Sequence, residues 1–184
     1  MKLHLGCGKR YISGFVHVDA IRYEHVDYIM NVDNLSLFQD ESVDLIYTCH
    51  VLEHFHRAKT RKVLAEWCRV LKVGGVLRLS VPDFEAACEL YMEKKELSLV
   101  IGLIMGRQNY LYNVHYNMFD FATLKEDLEA TGFGKVTRYD WRTTGHADVD
   151  DYSQAYYPHL ERETGRLMSL NVEATKIDVS AMRG

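Results

Sequence analysis

The chain has 184 residues, of which 47% are hydrophobic and 26% charged, and its net charge is −4. This balance is ordinary for a folded globular protein and excludes a low-complexity or disordered chain. The 22 lysine and arginine residues are scattered along the sequence, which disfavours a nucleic-acid partner because such proteins gather basic charge on one face.

Short apolar runs alternate with helical patterns, which predicts an α/β fold. The predicted strands cover residues 2–5, 15–18, 28–32, 43–48, 75–81, 135–141 and 166–174. Only nine residues, 6–14, separate the first strand from the second, whereas a parallel crossover normally needs a dozen or more. Either these early crossovers are tight loops or the strand limits are wrong. As loops they leave one flank of the sheet without helices, to be shielded by residues 97–120 or by a second subunit, which suggests a homodimer.

Three helices are predicted around the later strands. The first covers residues 58–72 and is ended by Gly74-Gly75. The second begins after Asp83, a good N-cap residue. The third covers residues 123–131, with Thr123 at the start of a capping box. The inward face of the second helix is predicted to comprise Phe84, Ala87, Cys88 and Tyr91.

The spacing of the cysteines and the hydropathy of the chain indicate where in the cell the protein resides. The four cysteines (Cys7, Cys49, Cys68 and Cys88) have no C-x-x-C spacing, which argues against a disulfide framework and a cysteine-rich zinc site. The longest apolar stretch, residues 97–105, is too short to cross a bilayer, and no signal peptide is recognised. We expect a cytoplasmic protein without membrane insertion.

The first strand runs directly into Gly6-Cys7-Gly8. A strand followed by G-x-G is how a doubly wound fold brings its backbone close to a nucleotide-like ligand, because glycine has no Cβ and tolerates positive φ. The second strand ends in Asp19, which could accept hydrogen bonds from ribose hydroxyls, and the third in Asp33, which could accept from an adenine amino group. Three strand ends in register, each with a group that adenosine needs, predict an adenosine-containing ligand.

At this point the sequence resembles the class I S-adenosylmethionine-dependent methyltransferases. The resemblance is carried by L-G-C-G, by S-V-D-L-I-Y with V-L-E-H, and by R-V-L-K-V-G-G. It is more closely similar to a subgroup of short methyltransferases associated with cell-surface polysaccharide biosynthesis, through L-G-C-G…G-F-V-x-V-D and the S-L-N-V-E-A run at 169–174. The sequence departs from the family where His4 replaces an acid and Arg10 a glycine.

The resemblance implies a Rossmann-like fold of about seven strands, mostly parallel with a reversed final strand, as one domain over residues 1–184. It implies S-adenosylmethionine as the cofactor, lying across the carboxyl ends of the first four strands and leaving as S-adenosylhomocysteine. The residues it assigns to the cofactor are Gly6, Cys7 and Gly8 at the methionine side, Asp19 at the ribose, Asp33 with Asn34 at the adenine, and Cys49 and His50 as backbone contacts.

The acceptor is expected to be a small polar molecule, such as a sugar or a polysaccharide precursor. Candidates for a base that removes its proton are His54, Asp83 and His115. Residues 97–120 contain many tyrosines and asparagines, and they either form a lid over the acceptor or pack on the core. The acidic loop 146–151 is expected to be solvated.

Two alternatives stay open. His50-Val51-Leu52-Glu53-His54 also fits the zinc-peptidase motif H-x-x-E-H, which requires the motif to lie in a helix and a third ligand elsewhere. Since the motif follows a strand, the sequence predicts no metal ligand, and a zinc hydrolase is the weaker alternative. The other alternative is a protein that binds S-adenosylmethionine without catalysis. A dinucleotide dehydrogenase fits poorly because G-x-G-x-x-G is absent.

Overall fold

The computed structural model describes residues 1–178. Its strands are β1 (Lys2–Leu5), β2 (Val16–Asp19), β3 (Tyr28–Ile29), β4 (Val43–Cys49), β5 (Leu71–Pro82), β6 (Phe133–Arg138), β7 (Tyr156–Tyr157), β8 (Arg166–Leu167) and β9 (Ser169–Lys176). Its α-helices are α1 (Thr60–Val70), α2 (Phe84–Lys94), α3 (Ile101–Met105) and α4 (Phe121–Glu129). No helix among these residues has the length and hydropathy needed to cross a membrane.

Seven strands form one sheet in the order β3-β2-β1-β4-β5-β9-β6, while β7 and β8 form a separate pair. The first five strands of that order are parallel, and β9 lies antiparallel between β5 and β6. This confirms the predicted Rossmann-like sheet with a reversed final strand. Because β1, β2 and β4 are parallel, the residues that follow them meet at one edge of the sheet, here called the carboxyl edge.

The strand limits differ from the prediction where tertiary pairing decides them. Strand β3 contains two residues instead of five and lies at the sheet edge, with both side chains exposed. The predicted strand 166–174 is interrupted at Met168, because its first two residues pair with β7 and only the later ones join β5. The predicted strand 135–141 lies two to three residues earlier, as β6. The early crossovers are loops, as one of the two readings predicts.

Three helix predictions need correction. Helix α1 ends at Val70, well before Gly74-Gly75, because Leu71 is already extended and pairs with Val43 in β5. Helix α4 is capped by Asp120, which exchanges hydrogen bonds with Thr123 in a capping box. Asp83 does cap α2, as predicted. The inward face of α2 nevertheless consists of Ala86, Ala87 and Leu90, which pack in a second small core with α3 and Met168.

The helices α1 and α4 cover one face of the sheet. Alternate side chains of the strands point to this face, and those in its core are at most 1% exposed: Leu3, Leu5, Val18, Ile46, Leu77, Leu79, Val172 and Ala174. Trp67 of α1 is fully buried there and donates from its indole nitrogen to the carbonyl of Val32 over 2.8 Å. Burying such side chains stabilises the fold by about 1.5–3 kcal/mol each.

The opposite face of the sheet is polar and is covered by an irregular segment, residues 139–154. The rings of His4 and Tyr47 point to this face and lie 5.2 Å apart, and His146 packs on Tyr47 at 4.3 Å. The hydroxyl of Tyr47 donates to Asp151 over 2.5 Å. Residues 139–154 therefore cover this face, instead of residues 97–120. The homodimer stays a prediction. The loop 146–151 is not simply solvated, since His146 is buried.

We expect Tyr47→Phe to loosen this covering segment. Burial raises the pKa of Tyr47 far above its usual range, so the phenol keeps its proton and donates it to the Asp151 carboxylate. Losing a hydrogen bond to a charged group should lower the free energy of unfolding by about 1.5–3 kcal/mol. Hydrogen exchange should become faster in residues 146–154 and stay unchanged in α1. Tyr28→Phe, at the exposed sheet edge, is the control, and equal exchange in both variants would contradict the anchoring role.

Candidate functional site

Two adjoining cavities open at the carboxyl edge of the sheet. The large cavity has a volume of about 840 Å³ and the small cavity one of about 430 Å³. They share lining residues and form one continuous cleft. The shared residues are Gly6, Gly8, Ile21, Tyr23, His50, His54 and Tyr110.

The glycine loop after β1 forms the floor of this cleft. Gly6 has a φ of +64°, and its N–H donates to the carbonyl of Val18 over 2.8 Å. A Cβ at this position would lie 2.3 Å from Cγ2 of Val51, far inside van der Waals contact. Gly8 has a φ of +54°, and a Cβ there would meet nothing within 4 Å. The first glycine is required by close packing and conformation, whereas the second leaves open space beside the backbone.

Asp19 ties this loop to the end of β2. Its Oδ2 accepts from the Gly8 N–H over 2.7 Å, and its Oδ1 accepts from the Ile21 N–H over 2.7 Å. The side chain is buried and yet lines the small cavity. A carboxylate has about four lone-pair sites, so each oxygen retains a site for a ligand hydroxyl.

Of the other residues predicted to bind the cofactor, all but one line the cleft. Asp33 lines the small cavity with Asp19, while Cys7 and Cys49 line the large cavity. Asn34 lines neither cavity; it is exposed, and its side chain accepts from the Ser36 N–H over 3.1 Å. Burial raises the pKa of the Cys7 thiol to about 12 and that of Cys49 well above its usual value. Both sulfurs are therefore neutral, unreactive thiols at neutral pH.

The chain turns sharply after β4 at His50, which has a φ of +54°. Such a conformation is uncommon outside glycine and clusters at functional sites. The His50 N–H donates to the carbonyl of Ser80 over 2.8 Å, and its ring Nε2 lies 2.7 Å from the Ser169 hydroxyl. The following residues form only a short 3₁₀ turn, Leu52–His54. The H-x-x-E-H motif is thus outside any α-helix, and the zinc-peptidase arrangement is not formed.

Glu53 is completely buried behind this turn, and neither carboxyl oxygen has a hydrogen-bond partner. Its Oε1 lies 3.5 Å from Nδ1 of His50 and 4.0 Å from Nε2 of His115. Burial raises the pKa of Glu53 to about 8 and lowers that of His50 to about 3. Burial also lowers the pKa values of His54 and His115. In the sequence, Glu53 belongs to the V-L-E-H and H-x-x-E-H motifs, and its place beside the apolar Leu52 was the available signal of its burial.

The three predicted catalytic residues do not lie together. His54 and His115 both line the large cavity, with ring centres 4.9 Å apart. Asp83 lines neither cavity; it caps α2 and lies 3.3 Å from Nη1 of Arg138. A structural role accounts for its burial.

Residues 97–116 form one wall of the cleft. Of this wall, Ser98, Leu99, Gly102, Leu103, Arg107, Tyr110, Asn113 and His115 face the large cavity, and Tyr110, Tyr112 and Tyr116 face the small one. The wall is partly anchored on the core, since Val100 is buried against α2. The position agrees with an acceptor-side wall, and its movement as a lid stays a prediction.

Residues 15–79 match the family model of a methyltransferase domain. This segment contains β2 to β4 and most of β5, with Asp19, Asp33 and the turn at His50, and it begins after the glycine loop. None of the proteins of curated function matches the chain significantly.

Solved methyltransferases share the fold. A 1,6-didemethyltoxoflavin-N1-methyltransferase from Burkholderia thailandensis, solved with 1,6-didemethyltoxoflavin and S-adenosylhomocysteine, has a TM-score of 0.58 at 18% identity, over 96% of this chain and 71% of its own. A possible histamine N-methyltransferase from Thermotoga maritima has a TM-score of 0.57 at 16% identity, over 95% and 81%. A SAM-dependent methyltransferase from Archaeoglobus fulgidus has a TM-score of 0.56 at 15% identity, over 95% and 85%. The fold is the Rossmann-like methyltransferase fold, and the matched domain supports a class I S-adenosylmethionine-dependent methyltransferase.

Proposed function

We propose that residues 1–184 form one methyltransferase domain of a cytosolic enzyme. This enzyme transfers a methyl group from S-adenosylmethionine to a small polar acceptor, a sugar or a polysaccharide precursor. The observation that carries the proposal is the Gly8–Asp19 hydrogen bond, which sets a buried carboxylate beside open backbone in the small cavity. This is the arrangement that an adenosine ligand needs in a doubly wound fold.

The small cavity fits the adenosine half of the cofactor. Asp19 retains acceptor sites for ribose hydroxyls, and Asp33 lies further along the same cavity for the adenine. The space beside Gly8 would take the methionine side, next to Cys7, Cys49 and the turn at His50. Asn34 is omitted from the proposed cofactor-binding residues, because its side chain lies outside the cavity and accepts a hydrogen bond from the Ser36 N–H. When bound, S-adenosylmethionine supplies an electrophilic sulfonium methyl, so alignment of the acceptor can provide most of the rate.

The large cavity is the proposed acceptor site. Its lining combines the aromatic ring of Tyr110, the amide of Asn113 and the charged Arg107 with the histidines His54 and His115. Aromatic faces and amides suit a polar ring such as a sugar. Each histidine is neutral and could accept the proton of an acceptor hydroxyl as its oxygen is methylated. Asp83 is omitted from the proposed catalytic residues.

Titration calorimetry with S-adenosylmethionine and S-adenosylhomocysteine tests the cofactor site. Wild-type protein should bind both ligands saturably, and Asp19→Ala should weaken binding by about 10- to 100-fold, since one or more hydrogen bonds to a carboxylate are lost. Asp44→Ala is the control, because Asp44 is an exposed acid at the amino end of β4, on the opposite edge of the sheet. Absence of binding in the wild type, or equal affinity in Asp19→Ala, would refute the proposed site.

A further inference from the structure

The hydrogen bonds around Glu53 leave lone pairs pointing at it from both sides. The Ser169 hydroxyl donates to the carbonyl of Tyr152 over 2.5 Å, so it accepts from Nε2 of His50. The neutral His50 ring therefore carries its proton on Nε2 and has a lone pair on Nδ1. That lone pair lies 3.5 Å from Oε1 of Glu53.

Hydrogen bonds to backbone carbonyls place the ring proton of both His54 and His115 on Nδ1. Nδ1 of His54 lies 3.0 Å from the carbonyl of Val114, and Nδ1 of His115 lies 2.8 Å from the carbonyl of Leu103. A carbonyl can only accept, so each Nδ1 carries the proton and each Nε2 has a lone pair. Histidines that bind metals commonly donate their other N–H to a backbone carbonyl in this way.

Glu53, His54 and His115 each offer one ligand atom, and these atoms lie within 4.8 Å of one another. Metal–ligand bonds of about 2.0–2.2 Å place neighbouring ligand atoms roughly 3–4 Å apart, so small side-chain rotations suffice to close the set. Burying the charged form of Glu53 without a donor is costly, so the carboxyl keeps its proton at neutral pH. A cation among these groups would replace that proton and stabilise the carboxylate. Among residues 1–178, no other residue donates a hydrogen bond to the Glu53 carboxyl group.

We propose that Glu53, His54 and His115 bind a divalent transition-metal ion beside the large cavity. Two imidazoles and one carboxylate suit zinc, iron(II), cobalt(II) or manganese(II), and leave coordination positions open. His54 and His115 line the large cavity, so an open position faces the place proposed for the acceptor.

The ion changes the part that the two histidines play. With their lone pairs on the metal they position it, instead of accepting a proton themselves. A hydroxyl of the acceptor that coordinated the ion would lose its proton more readily, and the proton would pass to water in the open cleft. The acceptor oxygen then forms its bond to the methyl carbon, and the carbon–sulfur bond breaks with its electron pair passing to sulfur. This role in methyl transfer rests on the proposed function, whereas the metal site itself does not.

Metal binding can be measured without any acceptor. Protein freed of metal with a chelator is titrated with Zn²⁺ by calorimetry and with Co²⁺ by visible absorption. We expect one ion per chain, no thiolate-to-cobalt absorption, and binding weakened by about 100-fold or more in Glu53→Gln and His115→Gln. Glu163→Gln and His159→Gln, at exposed positions, are matched controls and should bind as the wild type does.

Thermal unfolding keeps the test valid if a variant is unstable. Zn²⁺ should raise the melting temperature of the wild type. Glu53→Gln should fold without metal, because the substitution removes a buried carboxyl that lacks a partner. Zn²⁺ should leave the melting temperature of this variant unchanged. Failure of the wild type to take up either ion, or equal uptake by Glu53→Gln and His115→Gln, would overturn the site. Binding of S-adenosylmethionine is titrated separately in metal-free protein. Cofactor binding without metal uptake refutes only the metal site, and metal uptake without cofactor binding refutes only the proposed function.

Discussion

Lowering the pH from 7 to 5 is expected to reduce the free energy of unfolding by about 2 kcal/mol through His4 alone. His4 is 2% exposed on the polar face of the sheet, and its Nδ1 has no hydrogen-bond partner. Burial, with smaller contributions from His17, His146 and His25, lowers the pKa of His4 to about 3. The folded protein therefore keeps this ring neutral where an unfolded chain would protonate it.

The direction of the effect follows from the two pKa values. Above the unfolded pKa of 6.5 the ring is neutral in both states, and stability is at its full value. Below 6.5 the unfolded chain binds a proton that the folded chain does not, so stability falls with each further step in pH until about pH 3. Burial also lowers the pKa values of His17 and His146, which adds to the loss.

The charged groups around His4, His17 and His146 only partly oppose the loss of stability at low pH. Asp27 lies 3.5 Å from Nδ1 of His17, and Asp148 and Asp151 raise the pKa of His146, while Arg78 and Lys2 lower it. No carboxylate is among the groups that shift the pKa of His4. Among these three histidines, His4 is therefore the most acid-sensitive.

Urea denaturation at pH values between 7 and 4 measures this dependence. His4→Asn, which cannot titrate, should be less stable at pH 7 and lose less stability on acidification, by about 2 kcal/mol at pH 5. His159→Asn, at an exposed position, should keep the wild-type slope. The same slope in His4→Asn as in the wild type would show that His4 is not the source.

The sequence predicts the parts of this fold that depend on local patterns. Strands β1 and β4 are short apolar runs, and Asp83 is followed by the helix that it caps. These strands and the start of this helix can be predicted from neighbouring residues alone. The meeting of Gly8 with Asp19 was also predictable, because parallel strands bring their carboxyl ends to one edge. Whether these residues bind S-adenosylmethionine is a prediction that the titrations above address.

Features that depend on distant contacts were not predictable. The covering of the sheet by residues 139–154 depends on Tyr47 meeting Asp151, which no periodicity reveals. The cluster at Glu53 depends on His115, which arrives from a separate segment through the bond of its ring to the carbonyl of Leu103. The H-x-x-E-H motif alone favoured the wrong geometry, because it presumes a helix in which both of its histidines share a metal.

Gly6→Ala is expected to abolish cofactor binding in the concentration range where the wild type saturates. The new Cβ would lie 2.3 Å from Cγ2 of Val51, at a φ of +64°. The left-handed conformation costs alanine about 1–2 kcal/mol, and overpacking adds about 1–3 kcal/mol. The loop can relieve the overlap only by moving away from Val51. That movement would break the Gly6 N–H bond to Val18 and draw Gly8 away from Asp19.

A second substitution separates the two causes. Val51→Ala removes both methyl groups that crowd the new Cβ, so Gly6→Ala/Val51→Ala should recover most of the cofactor affinity and retain only the conformational cost at position 6. Val51→Ala alone supplies the fourth corner of a double-mutant cycle, in which the two substitutions should compensate each other in calorimetric titration. No recovery in the double variant would mean that the turn conformation alone requires glycine. Wild-type affinity in Gly6→Ala would show that the glycine loop does not hold the cofactor.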